Sequence, residues 1–124
     1  MIILDTDVLI EIFDKESTKG DIAIERIEEI GEDIAITSIS LHEIQYGIYK
    51  YGKKKIKELD QIDTLDFKRE DAKLSAKLEL DCERKGKPVS RIDSMIAAMA
   101  INRKAKIYTF NKKHFQSFSK LKLI

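Results

Sequence analysis

Short apolar segments recur along the chain and are separated by longer amphipathic stretches. Ile2-Ile3-Leu4 is the first of them, and Ile34-Ala35-Ile36 is the second. Apolar runs of this length, bounded by turn-forming residues, favour buried strands. The pattern predicts strands at Met1–Leu4, Asp33–Thr37, Thr64–Phe67 and Lys106–Thr109, with a further candidate at Leu121–Ile124.

The stretches between these strands carry apolar residues at helical spacing. Ala23, Ile27 and Ile30 lie on one helical face, and Gly31 follows as a typical helix end. Strands that alternate with helices indicate βαβ units, and so an α/β fold with a parallel sheet of four or five strands. The spacing predicts helices at Asp7–Phe13, Ile22–Ile30, Ser40–Tyr51, Lys54–Ile62, Arg69–Lys85 and Ile92–Arg103.

Three acidic residues stand where strands end or helices begin. Asp5 follows the first strand, Glu43 lies shortly after the second, and Asp93 opens the apolar helix near the C-terminus. Because ligands of α/β folds bind at the carboxyl ends of the strands, we expect these carboxylates to converge there. Carboxylates that converge repel one another, and Mg²⁺ or Mn²⁺ relieves the repulsion with oxygen ligands. The pattern therefore predicts metal-assisted phosphodiester chemistry.

Helix capping is the alternative explanation for each of these acids. Asp5 can be the N-cap of the first helix, although Asp7 can also fill that role. Ser40-Leu41-His42-Glu43 fits the S-x-x-E capping box, and Ser90-Arg91-Ile92-Asp93 fits its aspartate form. In the capping-box alternative, Glu43 and Asp93 each accept a hydrogen bond from the backbone N–H of the serine that starts their motif. Sequence spacing leaves both explanations open.

Composition narrows the class of protein. The 124 residues are 43% hydrophobic and 36% charged, which predicts one globular domain over residues 1–124. The uncharged runs 34–42 and 94–102 are shorter than the roughly 20 apolar residues that span a bilayer, so no membrane segment is expected. The first residues do not resemble a signal peptide, which indicates a cytoplasmic protein. A single cysteine, Cys82, excludes an internal disulfide and a cysteine-based zinc site.

Positive charge is clustered, although the net charge is only +1. Such clusters are often solvated surfaces, but beside an acidic metal site they become candidate phosphate contacts. The candidate RNA-binding residues in these clusters are Lys53, Lys54, Lys55, Lys112 and Lys113.

Four segments in order resemble the motifs of PIN domains, and specifically of the VapC-type toxin ribonucleases. Ile3–Ile10 resembles the opening motif, with its apolar-Asp-Thr-Asp-apolar pattern. Thr37–Gly47 resembles the second motif, in which a glutamate precedes a glycine by four positions. Asp93–Ala98 is similar to the third, and Tyr108–Phe115 is similar to the fourth. Together these motifs cover the whole chain.

The resemblance implies a PIN-like three-layer sandwich, with a central parallel sheet flanked by helices, and an endoribonuclease dependent on Mg²⁺ or Mn²⁺. It implies that Asp5, Glu43 and Asp93 are the metal carboxylates, with Thr6 and Thr109 as polar neighbours that orient metal or water. Asn111 takes the place that a fourth acid often holds, which lowers the negative charge of the site.

The resemblance also implies partners. Proteins of this family commonly form homodimers, and a small VapB-like antitoxin holds them inactive by covering the site. Their substrate is RNA, which they cleave to leave a 5′ phosphate and a 3′ hydroxyl.

Two other functions remain open at this point. A PIN domain can serve as a housekeeping or non-catalytic module in RNA processing, and Asn111 is the residue that favours a degraded site. The spacing Asp5-Thr6-Asp7 also matches the D-x-D motif of a phosphatase class, although no acidic pair follows the last clear strand.

Overall fold

The computed structural model describes residues 1–53 and 56–124. Strands and helices alternate through most of these residues, as the apolar pattern predicts. In chain order the elements are β1 (Ile2–Leu4), α1 (Thr6–Phe13), α2 (Thr18–Ile30), β2 (Ile34–Thr37), α3 (Ser38–Tyr51), a 3₁₀ helix (Lys57–Gln61), β3 (Thr64–Leu65), α4 (Arg69–Arg84), α5 (Arg91–Asn102), β4 (Lys106–Tyr108), a second 3₁₀ helix (Lys112–His114) and β5 (Lys122–Leu123).

Five parallel strands form one sheet in the order β3-β2-β1-β4-β5. The central strand is β1, whose Ile3 pairs with Ala35 of β2 on one side and with Ile107 of β4 on the other. The first half of the chain extends the sheet from β1 to β3, and the second half extends it from β1 to β5. The predicted parallel sheet is confirmed, and the fifth candidate strand is part of it.

Successive side chains of β1 point to opposite faces of the sheet, and each face packs against its own layer of helices. Ile2 and Leu4 belong to a core that they share with residues of α1, α2 and α3. Ile3 belongs to a second core that includes Cys82 of α4 and Ile96 of α5. The fold is therefore the predicted three-layer sandwich, and Cys82 is a buried core residue.

A side-chain cap sets the start of α2 earlier than the apolar spacing predicts. Ser17 Oγ accepts a hydrogen bond from Gly20 N–H at 3.0 Å, so α2 begins at Thr18 and not at Ile22. Gly20 also allows close packing of α1 and α2, because an added Cβ there would lie 2.1 Å from the Glu11 carbonyl oxygen. Caps of this kind extend a helix by a turn in which no apolar stripe is needed.

The helix predicted over Lys54–Ile62 is the clearest error in the fold. In its described part the chain forms only a short 3₁₀ helix, Lys57–Gln61, after an extended Ile56. Leu59 is its buried residue, and the flanking Ile56 and Ile62 pack against the same core. Elsewhere in residues 1–53 and 56–124, no helix is both long enough and apolar enough to cross a membrane.

A buried ion pair joins α4 to the end of α5. The Asp71 side chain is 0% exposed, and its Oδ1 accepts from Arg103 Nη1 at 2.9 Å. Asn102 Nδ2 and the backbone N–H of Lys68 donate to the same carboxylate at 2.8 Å and 2.9 Å. Burial raises the pKa of Asp71, but these donors outweigh it and hold the pKa below its usual value.

Candidate active site

A cavity of about 720 Å³ lies at the carboxyl ends of β1 and β4. Because the chain extends the sheet in opposite directions from β1, this is the topological switch point, where α/β folds bind their ligands. Asp5 N–H donates to the Tyr108 carbonyl at 2.9 Å, which fixes the two strand ends together. Four carboxylates line the cavity: Asp5, Asp7, Glu43 and Asp93.

Asp5 follows the last residue of β1 and caps α1. Its Oδ1 accepts from Thr6 N–H at 2.9 Å, and its Oδ2 accepts from the Thr109 hydroxyl at 2.9 Å. Asp5 is therefore both the N-cap of α1 and a lining residue of the cavity. The buried Thr109 ties the carboxylate to the end of β4 and leaves lone pairs free on both of its oxygens.

Asp7 also lines the cavity, although its place in the sequence indicates only a helix cap or part of the phosphatase motif. It is not the N-cap of α1, because Asp5 holds that position. Its Oδ2 accepts from Phe110 N–H and from Asn111 Nδ2, each at 3.1 Å. The Asp5-Thr6-Asp7 spacing was the available signal, since the first turn of a helix can direct two such carboxylates past its end.

The capping-box explanation for Glu43 is wrong. Helix α3 begins at Ser38, and its N-cap is Thr37, whose hydroxyl accepts from Ser40 N–H at 3.1 Å. Glu43 consequently lies in the second turn, beyond reach of a cap. Its Oε1 instead accepts from the Thr6 hydroxyl at 3.3 Å, which directs the carboxylate toward α1.

Asp93 lies in the first turn of α5, whose N-cap is Ser90. The Ser90 hydroxyl accepts from Asp93 N–H at 3.0 Å, so the serine half of the predicted motif is present. The Asp93 carboxylate faces the cavity, where its Oδ2 lies 3.7 Å from His114 Nδ1. His114, which the sequence offers only as an isolated histidine, therefore also borders the site.

The other predicted site residues, Thr6, Thr109 and Asn111, donate hydrogen bonds to carboxylates of the cavity. Thr6 and Thr109 each donate a hydroxyl hydrogen bond to a site acid, as described above. Asn111 donates its side-chain amide to Asp7, and its backbone N–H donates to Thr109 Oγ1 at 3.0 Å. These contacts connect Asp5, Asp7 and Glu43 in one network.

Electrostatic repulsion is built into this network. Burial raises the pKa of Asp5, and the charge of Asp93 adds to the rise, while hydrogen bonds from Thr109 and Thr6 oppose it. Burial and the charge of Asp5 likewise raise the pKa of Asp7 and of Glu43. The carboxylates of the cavity therefore resist joint ionisation, and a bound dication would relieve that cost.

The donor set suits a hard divalent cation, since carboxylate and hydroxyl oxygens are the ligands that Mg²⁺ and Mn²⁺ prefer. In the part of the chain that the structure describes, no three acidic, histidine or cysteine side chains stand close enough to hold one ion as they are oriented. Glu43 and Asp93 extend from different helices toward the same cavity, so rotation of their side chains is the adjustment that a cation requires.

The predicted RNA-binding lysines occupy different places. Lys113 lines the acidic cavity, and Lys112 precedes it in the second 3₁₀ helix. Lys53 follows the far end of α3, and the eight residue steps from Glu43 to Tyr51 alone span ~12 Å at 1.5 Å per step. Lys54 and Lys55 lie outside the described residues. The structure thus brings Lys113 to the cavity, places Lys112 beside it in the chain, and leaves Lys53 away from it.

Comparison with known proteins identifies the family. A sequence profile described as the PIN domain matches residues 2–121. The chain is also 33% identical over 94 residues to Ribonuclease VapC2 of Rickettsia felis, an alignment that covers 71% of this chain and 70% of that protein. The chain belongs to the VapC family of PIN domains. The predicted resemblance is confirmed, and it favours this family over the phosphatase class.

Solved structures share the fold of this VapC-family chain over almost its whole length. The crystal structure of VapBC2 from Rickettsia felis bound to a DNA fragment from their promoter superposes with a TM-score of 0.78 and 29% identity, covering 100% of this chain and 98% of that one. FitAcB from Neisseria gonorrhoeae gives a TM-score of 0.83 at 19% identity, covering 100% and 96%. The three-layer PIN fold is thus common to this chain and both structures.

Proposed function

We propose that this chain is a divalent-metal-dependent endoribonuclease and the toxin of a toxin–antitoxin pair, with residues 1–124 acting as one PIN domain. The observation that carries the proposal is the gathering of four carboxylates in one cavity at the switch point of the sheet. Membership of the VapC family and the similarity to Ribonuclease VapC2 support RNA as the substrate.

Asp5, Glu43 and Asp93 are the residues that would hold Mg²⁺ or Mn²⁺. Asp5 is fixed by Thr6 and Thr109, so it provides the rigid part of the site. Glu43 and Asp93 come from the first half of two other helices and complete the site from opposite layers. Asp7 already accepts hydrogen bonds at both oxygens, two of them at Oδ2, so its role is to position Asn111 and the loop after β4.

A bound dication supplies Lewis-acid activation of the phosphodiester and lowers the pKa of an attacking water. The protein contributes positioning and charge. Thr6 and Thr109 keep the carboxylates aligned through their hydroxyl groups, and Lys113 places a positive charge at the rim of the cavity, where a phosphate would bind. Rate enhancement in such a site comes mainly from preorganised geometry and electrostatics.

The direct test measures cleavage of single-stranded RNA with Mn²⁺, with EDTA, and in the Asp93→Asn variant. We expect cleavage with Mn²⁺, loss of cleavage in EDTA, and loss by orders of magnitude in Asp93→Asn. Asp21→Asn is the matched control, because Asp21 is also a first-turn acid but lies exposed on α2. Cleavage that persists in EDTA would contradict the metal mechanism, and an inactive parent protein would favour a non-catalytic PIN module.

We also propose two partners. A VapB-like antitoxin is supported by the similarity to the Rickettsia felis VapBC2 structure. A homodimer is supported by exposed apolar side chains on several helices, among them Ile22, Tyr49 and Leu80. Light scattering of the purified chain without antitoxin should give twice its mass of 14.3 kDa, and a value near 14.3 kDa at micromolar concentration would contradict the dimer.

A further inference from the structure

A second cavity, of about 680 Å³, adjoins the acidic one on the far side of the loop after β4. Asn111 and Lys113 line both cavities, so together they form the boundary between them. The second cavity lies against α2 and the C-terminal end of the sheet, and none of the four carboxylates lines it. A chain that leaves the acidic cavity past Asn111 and Lys113 would therefore meet this second cavity.

The charge of this second cavity is opposite to that of the first. Arg26 of α2, Lys112 and Lys113 line it, and none of its described lining residues is acidic. Arg26 pairs with Glu29 in an exposed contact at 3.8 Å that leaves 55% of the Arg26 side chain accessible. Such a pair is weak, so the guanidinium is available to a stronger anion.

An aromatic ring lines the same cavity. Phe110 packs edge-on against Tyr108, with ring centroids 5.9 Å apart, which fixes its orientation. Lys19 Nζ lies 5.0 Å from the centre of the Phe110 ring and adds a further positive charge beside the cavity. Aromatic rings interleaved with cations are the surfaces on which proteins bind unpaired bases and their phosphates.

The positive charge of the second cavity can offset the repulsion between the acidic cavity and RNA. Four carboxylates repel an RNA backbone, and one dication cannot offset the repulsion along several nucleotides. Affinity for a polyanion has to come from neighbouring cations that neutralise flanking phosphates. Asn111 is neutral at the boundary, so the path between the cavities carries no additional negative charge.

We propose that the second cavity is the subsite for the single-stranded RNA segment that adjoins the scissile phosphate. Arg26 and Lys112 contact its phosphates, and Phe110 contacts a base. This inference rests on the proposed ribonuclease function, because the acidic cavity defines where the scissile phosphate lies.

The test is RNA binding in EDTA, where the chain does not cut. A fluorescein-labelled single-stranded 12-nucleotide RNA is titrated with the parent protein and with the Arg26→Ala/Lys112→Ala variant across a range of salt concentrations. Both residues line the second cavity but not the acidic one. We expect Kd to rise about tenfold or more. The logarithm of the association constant decreases with the logarithm of the salt concentration, and the magnitude of that slope should be smaller by about 1.4, since each single-strand phosphate contact contributes about 0.7.

Arg69→Ala/Lys73→Ala is the matched control, because it removes the same two charges from exposed positions on α4. The control should bind RNA like the parent, and thermal unfolding should show that both variants are folded. Equal losses in both variants would mean non-specific charge attraction, and unchanged binding in Arg26→Ala/Lys112→Ala would mean that RNA does not use this cavity. Either result overturns the inference.

Cleavage is measured separately with Mn²⁺. If the parent binds RNA through this cavity but does not cut it, the ribonuclease proposal fails and the RNA subsite remains. If the parent cuts RNA and Arg26→Ala/Lys112→Ala cuts it equally well at low RNA concentration, the subsite fails and the ribonuclease proposal remains.

Discussion

Two clusters of charged and polar residues, one buried around Asp71 and one lining the acidic cavity, contain aspartates whose pKa values move in opposite directions. Asp71 is completely buried, yet its pKa is lowered, because Arg103, Asn102 and Lys68 all donate hydrogen bonds to it. Asp5 is less buried, yet its pKa is raised, because the effect of burial exceeds that of its neutral hydrogen-bond donors and the charge of Asp93 adds to the rise. Burial alone therefore does not mark a functional carboxylate. A structural aspartate has an arginine partner within the chain, whereas among the described residues no lysine or arginine forms an ion pair with an acid of the cavity.

The first and largest effect that separates the two clusters is on activity. Asp5→Asn should lower RNA cleavage with Mn²⁺ about a thousandfold, which is the scale of losing one preorganised electrostatic group. Asparagine can still accept the Thr6 hydrogen bond, and it removes one repelling charge, so the metal-free variant should unfold at or above the parent temperature.

Thermal unfolding in EDTA and cleavage with Mn²⁺ are the two measurements for Asp5→Asn. A variant that melts early and cuts at the parent rate would make Asp5 a structural cap. That outcome would place Asp5 in the same class as Asp71 and remove the distinction between the clusters.

The second effect is on stability. Asp71→Asn leaves Arg103 without its charged partner in a site where the Arg103 side chain is 18% exposed. Removing one partner of a buried ion pair costs about 3–5 kcal/mol, and partial exposure of Arg103 favours the lower end of that range. Urea denaturation measures the loss, and cleavage per folded molecule should stay at the parent level.

A control for Asp71→Asn is the double variant Asp71→Asn/Arg103→Met. If the loss in Asp71→Asn comes from the unpaired guanidinium, replacing that group by an apolar side chain should recover part of the stability. A double variant that is less stable than Asp71→Asn would mean that packing of Arg103, and not its charge, determines the result.

The sequence predicts the fold better than it predicts this contrast. Apolar runs and helical spacing are local signals, so the five strands and the layered α/β architecture follow from them. The starts of α2 and α3 do not, because the hydroxyls of Ser17 and Thr37 decide them by capping. The 3₁₀ helix at Lys57–Gln61 is also missed, since one buried leucine does not distinguish it from an α-helix.

Long-range pairs account for what the sequence leaves out of the site. Asp7 and Asn111 are 104 residues apart, and Asp71 and Arg103 are 32 apart. Nothing in the spacing of charged residues indicates which aspartate meets an amide and which meets a guanidinium. Asp5, Glu43 and Asp93 were identifiable because strand ends and family motifs mark them, whereas Asp7 and Asp71 required the folded arrangement.

The third effect is the pH dependence of the Asp71 contribution. A carboxylate whose pKa is lowered by folding stabilises the protein above its unfolded pKa, near 3.8, and that stabilisation is lost as the pH falls through the folded pKa. The free-energy difference between the parent and Asp71→Asn should therefore be largest near neutral pH and should shrink below about pH 4. The pKa of Asp5 is raised by folding, so its pH dependence in EDTA has the opposite sign. Its contribution to stability should fall as the pH rises from the unfolded pKa to the folded pKa.

Urea denaturation at a series of pH values measures this difference. Arg69→Ala, which removes an exposed charge from the same helix, should show no comparable change over that interval. A difference between the parent and Asp71→Asn that stays constant from neutral pH to pH 3 would assign the Asp71 contribution to packing instead of charge.

The smallest effect is expected at Asn111, where one substitution adds a carboxylate to the crowded cluster. Asn111 Nδ2 donates to Asp7 Oδ2 at 3.1 Å, and Asn111→Asp replaces this donor with a second carboxylate. Two like charges at about 4 Å in water repel by about 1 kcal/mol, so the metal-free variant should lose stability on that scale. Mn²⁺ should then raise the unfolding temperature of Asn111→Asp more than that of the parent, because a dication relieves the added repulsion. Asn111→Ala is the control, since it removes the hydrogen bond without adding charge. Equal stability of the two variants in EDTA, with equal responses to Mn²⁺, would show that repulsion between carboxylates does not govern this end of the cavity.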